Sequence, residues 1–187
     1  MSQNFAAARL NMVESQVRPS DVTDVAIHDA MRSIPREDYS GDRRHLAYAD
    51  VAVEYAPGRF LMAPRDVAKL IQAVEPRPGE RAAAIAAPYA AAVLRHIGLA
   101  VDELDETQEP EPRAYQVVVS EGAVAQTPPA WLAALALGGR LGVVERNGPV
   151  GKATVYLRSE EDLGSRTVFD ATPPYLPGCE PRKSFAF

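Results

Sequence analysis

The residue types that most often carry chemistry are few in this sequence of 187 residues. It has one cysteine, Cys179, and three histidines, His28, His45 and His96. No pair of histidines has a metal-binding spacing such as His-x3-His, and no serine stands in a recognisable nucleophile turn. The residues therefore predict neither a zinc cluster nor a hydrolase triad, and a single thiol excludes an internal disulfide.

Two charged positions are candidates for ligand binding. Arg59 could hold a carboxylate through two parallel hydrogen bonds, although an ordinary surface arginine is the simpler interpretation. Glu121 and Gly122 follow a run of three valines that predicts a buried strand, and the carboxyl edge of such a sheet is where ligands bind. The simpler interpretation here is a turn that uses the glycine. The acidic run at 102–111 is typical of a solvated loop, or of one that guards a sheet edge.

Composition narrows the class of protein. Lys and Arg number 20 against 25 Asp and Glu, which gives a net charge of −5, and 47% of the residues are hydrophobic. These values predict a globular chain without the excess of positive charge that binding to nucleic acid or an anionic membrane requires. The longest apolar run, Ala82 to Leu94, is too short for a membrane span of about 20 residues. Residues 1–10 do not resemble a signal peptide, so we expect a cytoplasmic protein.

Hydrophobic spacing and turn residues predict the elements that must position any site. Helices are expected at 4–17, 25–34, 64–74, 89–97 and 128–137, and strands at 81–86, 99–104, 115–120, 140–145 and 152–158, with short strand and coil from 166. Asn147-Gly148 predicts a hairpin turn. Strands that alternate with helices, followed by a hairpin, indicate an α/β fold with a mostly parallel sheet. The linker at 105–113 is too short for a crossover helix and a strand, which need at least ten to twelve residues.

Several segments, in order, resemble the protein-L-isoaspartate O-methyltransferase family. They are Met12 to Arg18, Ala30 to Arg36, Ala47 to Asp50, the helix opened by Pro64, the turn Pro76 to Arg81, and Gly138-Gly139-Arg140-Leu141. The ending from Phe169 to Phe187 resembles an alphaproteobacterial branch. The resemblance implies a Rossmann-like sheet of seven strands, the last antiparallel, behind an N-terminal helical segment. It also implies S-adenosylmethionine as cofactor and methyl transfer to the α-carboxyl of isoaspartyl residues.

The departures from the family pattern fall on its cofactor and substrate positions. Ala84 stands where the resemblance places an acid, and Ala86, Ala87 and Pro88 replace its glycine-rich turn. Methyl groups there would fill the space that a cofactor needs for close backbone approach.

On the substrate side, Met62 takes the place of the family's hydroxyl residue, and a thioether cannot donate a hydrogen bond. The helix and third strand before the fourth strand are replaced by the short linker, which leaves Glu103 or Asp105 as the acid that could hold a ribose.

These features together predict a single domain at 1–187: a substrate-side helical segment at 1–63, a truncated Rossmann-like core without strand three at 64–158, and a C-terminal strand and tail at 159–187. We expect a degenerate family member that has lost useful S-adenosylmethionine binding and catalysis and binds a protein or peptide, or a second copy of itself. No metal, membrane or nucleic acid is expected. The alternative is a working carboxyl methyltransferase with a rearranged site.

Overall fold

A six-stranded sheet forms the centre of the fold in the computed structural model, which describes residues 4–182. The strands are β3 (Arg81–Ile85), β4 (Ala100–Leu104), β5 (Tyr115–Val124), β6 (Leu135–Glu145), β7 (Gly151–Arg158) and β8 (Leu163–Ala171), in the order β4-β3-β5-β6-β7-β8. The first four are mutually parallel, and β7 and β8 join as antiparallel strands. The predicted α/β sheet with a C-terminal hairpin is confirmed. A small hairpin, β1 (Val53–Ala56) and β2 (Arg59–Leu61), lies outside this sheet.

Within residues 4–182, five α-helices accompany the strands: α1 (Phe5–Met12), α2 (Val25–Ser33), α3 (Pro64–Ala73), α4 (Pro88–Ile97) and α5 (Pro129–Ala133). Helix α3 begins at a proline, which needs no hydrogen-bonded N–H in the first turn, and it buries Val67, Leu70 and Ile71 on one face. Helix α4 ends at Gly98, whose φ of 110° is available to glycine at little cost. No helix within residues 4–182 is long and apolar enough to cross a membrane.

Both faces of the interior strand β3 are covered. Alternate residues of β3 enter different apolar clusters: Ala82 and Ala84 pack with the helices α1 to α4, whereas Ala83 and Ile85 pack with Trp131 of α5. Because side chains alternate across a strand, burial on both faces accounts for the unbroken apolar run in this part of the sequence.

The linker between β4 and β5 has the predicted form. Residues 105–114 contain neither helix nor strand, so the crossover from β4 to β5 is made without a helix, and β4 is an edge of the sheet. The acidic side chains of β4 are paired with arginines: Arg81 lies 2.8 Å from Asp102, and Arg95 lies 2.5 Å from Glu103.

Three predicted boundaries are wrong. The first helix, predicted at 4–17, is α-helical only to Met12; the chain then continues as a π-helix and a 3-10 turn through Ser20. The helix predicted at 128–137 ends at Ala133, because Leu135 pairs with Tyr115 and starts β6. The last strand begins at Leu163 rather than near 166, since it pairs along the whole of β7.

A fourth correction concerns Glu121 and Gly122. The strand predicted to end at Ser120 continues to Val124, so both residues lie inside β5 rather than in a turn after it. The register of β5 against β6 shifts between Val119 and Ala123, which marks an irregularity around this pair.

Candidate functional site

The sheet topology places a crevice at the carboxyl ends of β3 and β5. After β3 the chain moves outward to β4, and then crosses back to pair β5 on the other side of β3. The connections that leave these two neighbouring strands therefore diverge, and in open α/β sheets such a switch point is where ligands bind.

The turn after β3 is closed and buried. Ala86 has a φ of 46°, a left-handed conformation that costs an alanine more than a glycine. Its amide donates to the carbonyl oxygen of Leu104 (2.7 Å), and its own carbonyl accepts from the Tyr55 hydroxyl (3.3 Å). Ala86 and Ala87 are only 5% and 2% exposed, and Ala84 is buried within β3. The methyl groups of this turn are therefore packed inside the protein.

A buried carboxylate caps the helix that begins at this turn. Glu121 accepts hydrogen bonds from the amides of Ala90, in the first turn of α4, and of Met62, both at 2.9 Å. The N-cap residue, Ala87, has no side-chain acceptor, so the carboxylate of Glu121 satisfies a helix amide from a distant strand. Burial raises the pKa of Glu121, and the charge of Arg36 opposes that rise.

Arg36 is the cationic counterpart of Glu121 and is fully buried. Its Nε donates to Ala47 O (2.9 Å) and its Nη2 to Met62 O (2.5 Å), while the guanidinium lies 4.6 Å from the ring centroid of Tyr89. Burial lowers the pKa of Arg36. Met62 is thus held through both its amide and its carbonyl and is inaccessible, so this position serves packing and backbone anchoring.

Arg59 does bind a carboxylate, and that carboxylate belongs to the same chain. Its Nε and Nη2 lie 2.9 and 2.8 Å from the two carboxylate oxygens of Glu106, in the linker after β4. The Glu106 side chain is only 3% exposed, against 34% for Arg59. The ion pair fastens the linker to β2, and any other carboxylate would have to displace Glu106 from Arg59.

The two acids predicted to hold a ribose are also engaged. Glu103 pairs with Arg95, and Asp105 accepts bonds from the amides of Thr107 (2.8 Å) and Gln108 (3.1 Å) in its own turn. Hydrogen bonds from Thr107 lower the pKa of Asp105, which is consistent with an ionised residue that caps its own loop.

The C-terminal segment 173–179 covers the crevice. Ala123 donates to Pro174 O (2.8 Å), Leu176 donates back to Ala123 O (2.9 Å), and Ala125 donates to Cys179 O (2.7 Å). Leu176 is 1% exposed and presses on Gly122, where an added Cβ would lie 2.6 Å from Leu176 Cδ2. The glycine predicted as a ligand-side residue instead makes room for a leucine of the chain's own tail.

Other reactive side chains do not gather here. Among residues 4–182, no group of three or more His, Cys, Asp and Glu side chains could hold a metal ion. Burial raises the pKa of the half-buried Cys179 thiol, which makes it less reactive at neutral pH.

Sequence reasoning brought Arg59, Glu121 and Gly122 forward but missed Glu106, Arg36 and Leu176. An acid inside the apolar run Val117 to Val124 was the one signal for the buried carboxylate of Glu121.

No protein-family model matches the chain, but curated relatives do. It is 36% identical over 138 residues to protein-L-isoaspartate O-methyltransferase 1 of Rhodopseudomonas palustris, in an alignment that covers 72% of this chain and 51% of that protein. A Methylorubrum extorquens enzyme of the same name is 39% identical over 99 residues, 51% of this chain and 43% of that protein. A Koribacter versatilis relative is 27% identical over 89% of this chain and 88% of its own length. The first two alignments thus span about half of each relative.

Solved structures show the same fold. A Plasmodium falciparum structure described as a protein-L-isoaspartate O-methyltransferase in complex with S-adenosyl-L-homocysteine superposes with a TM-score of 0.72 at 13% identity, covering 94% of this chain and 99% of that chain. A second protein-L-isoaspartate O-methyltransferase structure gives a TM-score of 0.70 at 17% identity and covers 91% of this chain and 66% of that one.

Proposed function

The chain belongs to the protein-L-isoaspartate O-methyltransferase family, and we propose that it is a non-catalytic member that acts as a binding or assembly protein. The proposal rests above all on one observation: Leu176 of the chain's own C-terminal segment is buried against Gly122, near the carboxyl end of β5 at the switch point of the sheet. A cofactor at this position would have to displace a segment held by three backbone hydrogen bonds.

The residues around the crevice do not fit S-adenosylmethionine. Its charged amino-acid end needs free backbone amides and an approach unobstructed by methyl groups, whereas Ala86 and Ala87 are buried and the Ala90 amide already binds Glu121. Its ribose needs a free acid, whereas Glu103 and Asp105 are engaged elsewhere.

The energetic cost of these losses is large. Each polar group of the cofactor left without a partner costs about 1–3 kcal/mol. Two such losses weaken binding by about one to four orders of magnitude, because each ~1.4 kcal/mol is tenfold in the dissociation constant.

The alternative function is an active S-adenosylmethionine-dependent carboxyl methyltransferase with a rearranged site. The names of the curated relatives favour it, as does the S-adenosyl-L-homocysteine bound in the Plasmodium falciparum structure. It requires segment 173–179 to leave β5 and the linker at 105–113 to release Arg59, so that the crevice opens.

A thermal-shift titration with S-adenosylmethionine and S-adenosyl-L-homocysteine separates the two functions, with the Rhodopseudomonas palustris relative as the control. A ligand at about 100 times its dissociation constant adds ~2.7 kcal/mol. That is several degrees, at roughly 2–4 °C per kcal/mol for a chain of this size. We expect no shift at millimolar ligand. A shift of several degrees at micromolar ligand, or methyl transfer to an isoaspartyl peptide, would establish the active enzyme instead.

We further propose that the partner is a protein, such as a second copy of this chain, in the cytoplasm. Asp102 and Glu103 on β4 disfavour edge-to-edge pairing of two copies, because like charges would meet. Leu10 on α1 and Val25 on α2 are 53% and 65% exposed and offer apolar contacts instead. In sedimentation velocity, self-association should be lost in Leu10→Glu and kept in Glu103→Lys. A continuous intermolecular sheet through β4 would contradict the proposal that two copies associate through α1 and α2.

A further inference from the structure

The turn between β6 and β7 contains an asparagine followed by a glycine. Asn147 and Gly148 are both exposed and lie outside the strands, which end at Glu145 and resume at Gly151. Among residues 4–182, nothing accepts a hydrogen bond from the Gly148 amide, and a Cβ added at Gly148 would meet nothing within 4 Å. This backbone nitrogen is therefore both unengaged and sterically open.

The other two asparagines of the chain are in a different situation. Asn4 caps α1 by accepting from the Ala7 amide (3.1 Å), and the bulky Phe5 follows it. Asn11 lies within α1 and is followed by Met12, whose amide belongs to the helical hydrogen-bond ladder. A committed amide and a following side chain both impede attack by the backbone on the asparagine side chain. The chain thus carries its own internal controls.

We propose that Asn147 is a site of spontaneous deamidation, which converts this turn into a mixture of aspartyl and isoaspartyl forms. The Gly148 nitrogen attacks Cγ of Asn147, the Cγ–Nδ2 bond breaks, and the displaced nitrogen leaves as ammonia with the Gly148 proton. Water then opens the cyclic imide. Cleavage of the Cγ–N bond gives aspartate, and cleavage of the bond to the backbone carbonyl carbon gives isoaspartate. Solvent water is the only co-reactant.

The conversion would remove a tether between two parts of the fold. The Nδ2 of Asn147 donates to Ala125 O (2.7 Å), just after β5, and the Ala125 amide donates to Cys179 O in segment 173–179. A carboxylate at position 147 has no proton to donate and would face that carbonyl oxygen instead. These residues line a cavity of about 610 Å³ that also includes Arg182. Deamidation would therefore loosen the rim of this cavity.

Peptide mapping by mass spectrometry after incubation at neutral pH tests the modification. We expect the peptide with Asn147 to acquire the mass of the acid while those with Asn4 and Asn11 keep their amides. In the matched variant Gly148→Ala, which the open space accommodates, conversion should slow several-fold. Methylation of the aged chain by an active isoaspartyl methyltransferase would identify the isoaspartyl fraction. Equal amide retention at all three asparagines, or an equal rate in Gly148→Ala, would overturn the proposal.

The structural consequence has its own readout. In Asn147→Asp, which reproduces the aspartyl product, amide hydrogen exchange at Ala125 should be faster than in the unmodified chain, because the side chain at position 147 no longer donates to Ala125 O. Exchange in Gly148→Ala should be unchanged. Unaltered exchange at Ala125 in Asn147→Asp would refute the loosening of the cavity rim. Deamidation of Asn147 does not depend on whether the chain binds S-adenosylmethionine. The experiments on Asn147 can therefore refute this proposal without bearing on the proposed function, and the thermal-shift titration can refute the proposed function without bearing on Asn147.

Discussion

Replacing Leu176 by alanine tests whether segment 173–179 is an integral part of the fold. Leu176 is 1% exposed and packs on Gly122, so truncation removes a fully buried side chain and leaves a cavity between the tail and β5. Buried leucine-to-alanine changes cost about 2–5 kcal/mol. For a loss of about 3 kcal/mol we expect the Tm to fall by about 6–12 °C in calorimetry, at roughly 2–4 °C per kcal/mol.

Leu137→Ala is the matched control because Leu137 is 62% exposed. The same atoms are removed, but a surface change of this kind stays within about 0.5 kcal/mol. Equal Tm shifts in the two variants would refute the docking of the tail on β5. If the proposed loss of cofactor binding holds, Leu176→Ala should also bind no S-adenosylmethionine, since Glu121 continues to occupy the Ala90 amide at the N-terminus of α4.

Two further predictions concern buried carboxylates. Burial raises the pKa of Glu121 above its ordinary 4.5, so just above that pH the folded chain keeps a proton that the unfolded chain loses. The stability due to this group therefore falls as pH rises through that window. In urea titrations across it, the free energy of unfolding of the native chain should fall relative to that of Glu121→Gln, and a difference that does not change with pH would contradict the burial argument. For the Arg59–Glu106 pair, a double-mutant cycle should give a coupling of about 1–2 kcal/mol, against about 0.2–0.5 kcal/mol for the exposed pair Arg44–Asp38; equal couplings would show that the linker is not fastened by this contact.

Local sequence determined the elements whose signals do not depend on distant residues. Helix α3 could be predicted because Pro64 fixes its start and Val67, Leu70 and Ile71 share one face. The absence of a helix and a further strand between β4 and β5 could be predicted because the linker at 105–113 is too short to hold both. The replacement of a glycine turn by Ala86 and Ala87 could also be recognised, since it follows from residue types in a known position.

Tertiary structure decided what fills the crevice. Glu106 pairs with Arg59, which lies 47 residues away in the sequence. Leu176 contacts Gly122 only because the C-terminal segment returns along the end of β5. Strand pairing also decided where α5 ends. The helix was expected to run through Leu137, but the pairing of β6 with β5 outweighed the local helix preference. Such contacts depend on which distant segments of the chain the fold brings together. Residue types could therefore show that alanines and a proline form the turn after β3, while only the fold shows which of the chain's own carboxylates and which leucine pack around that turn and the end of β5.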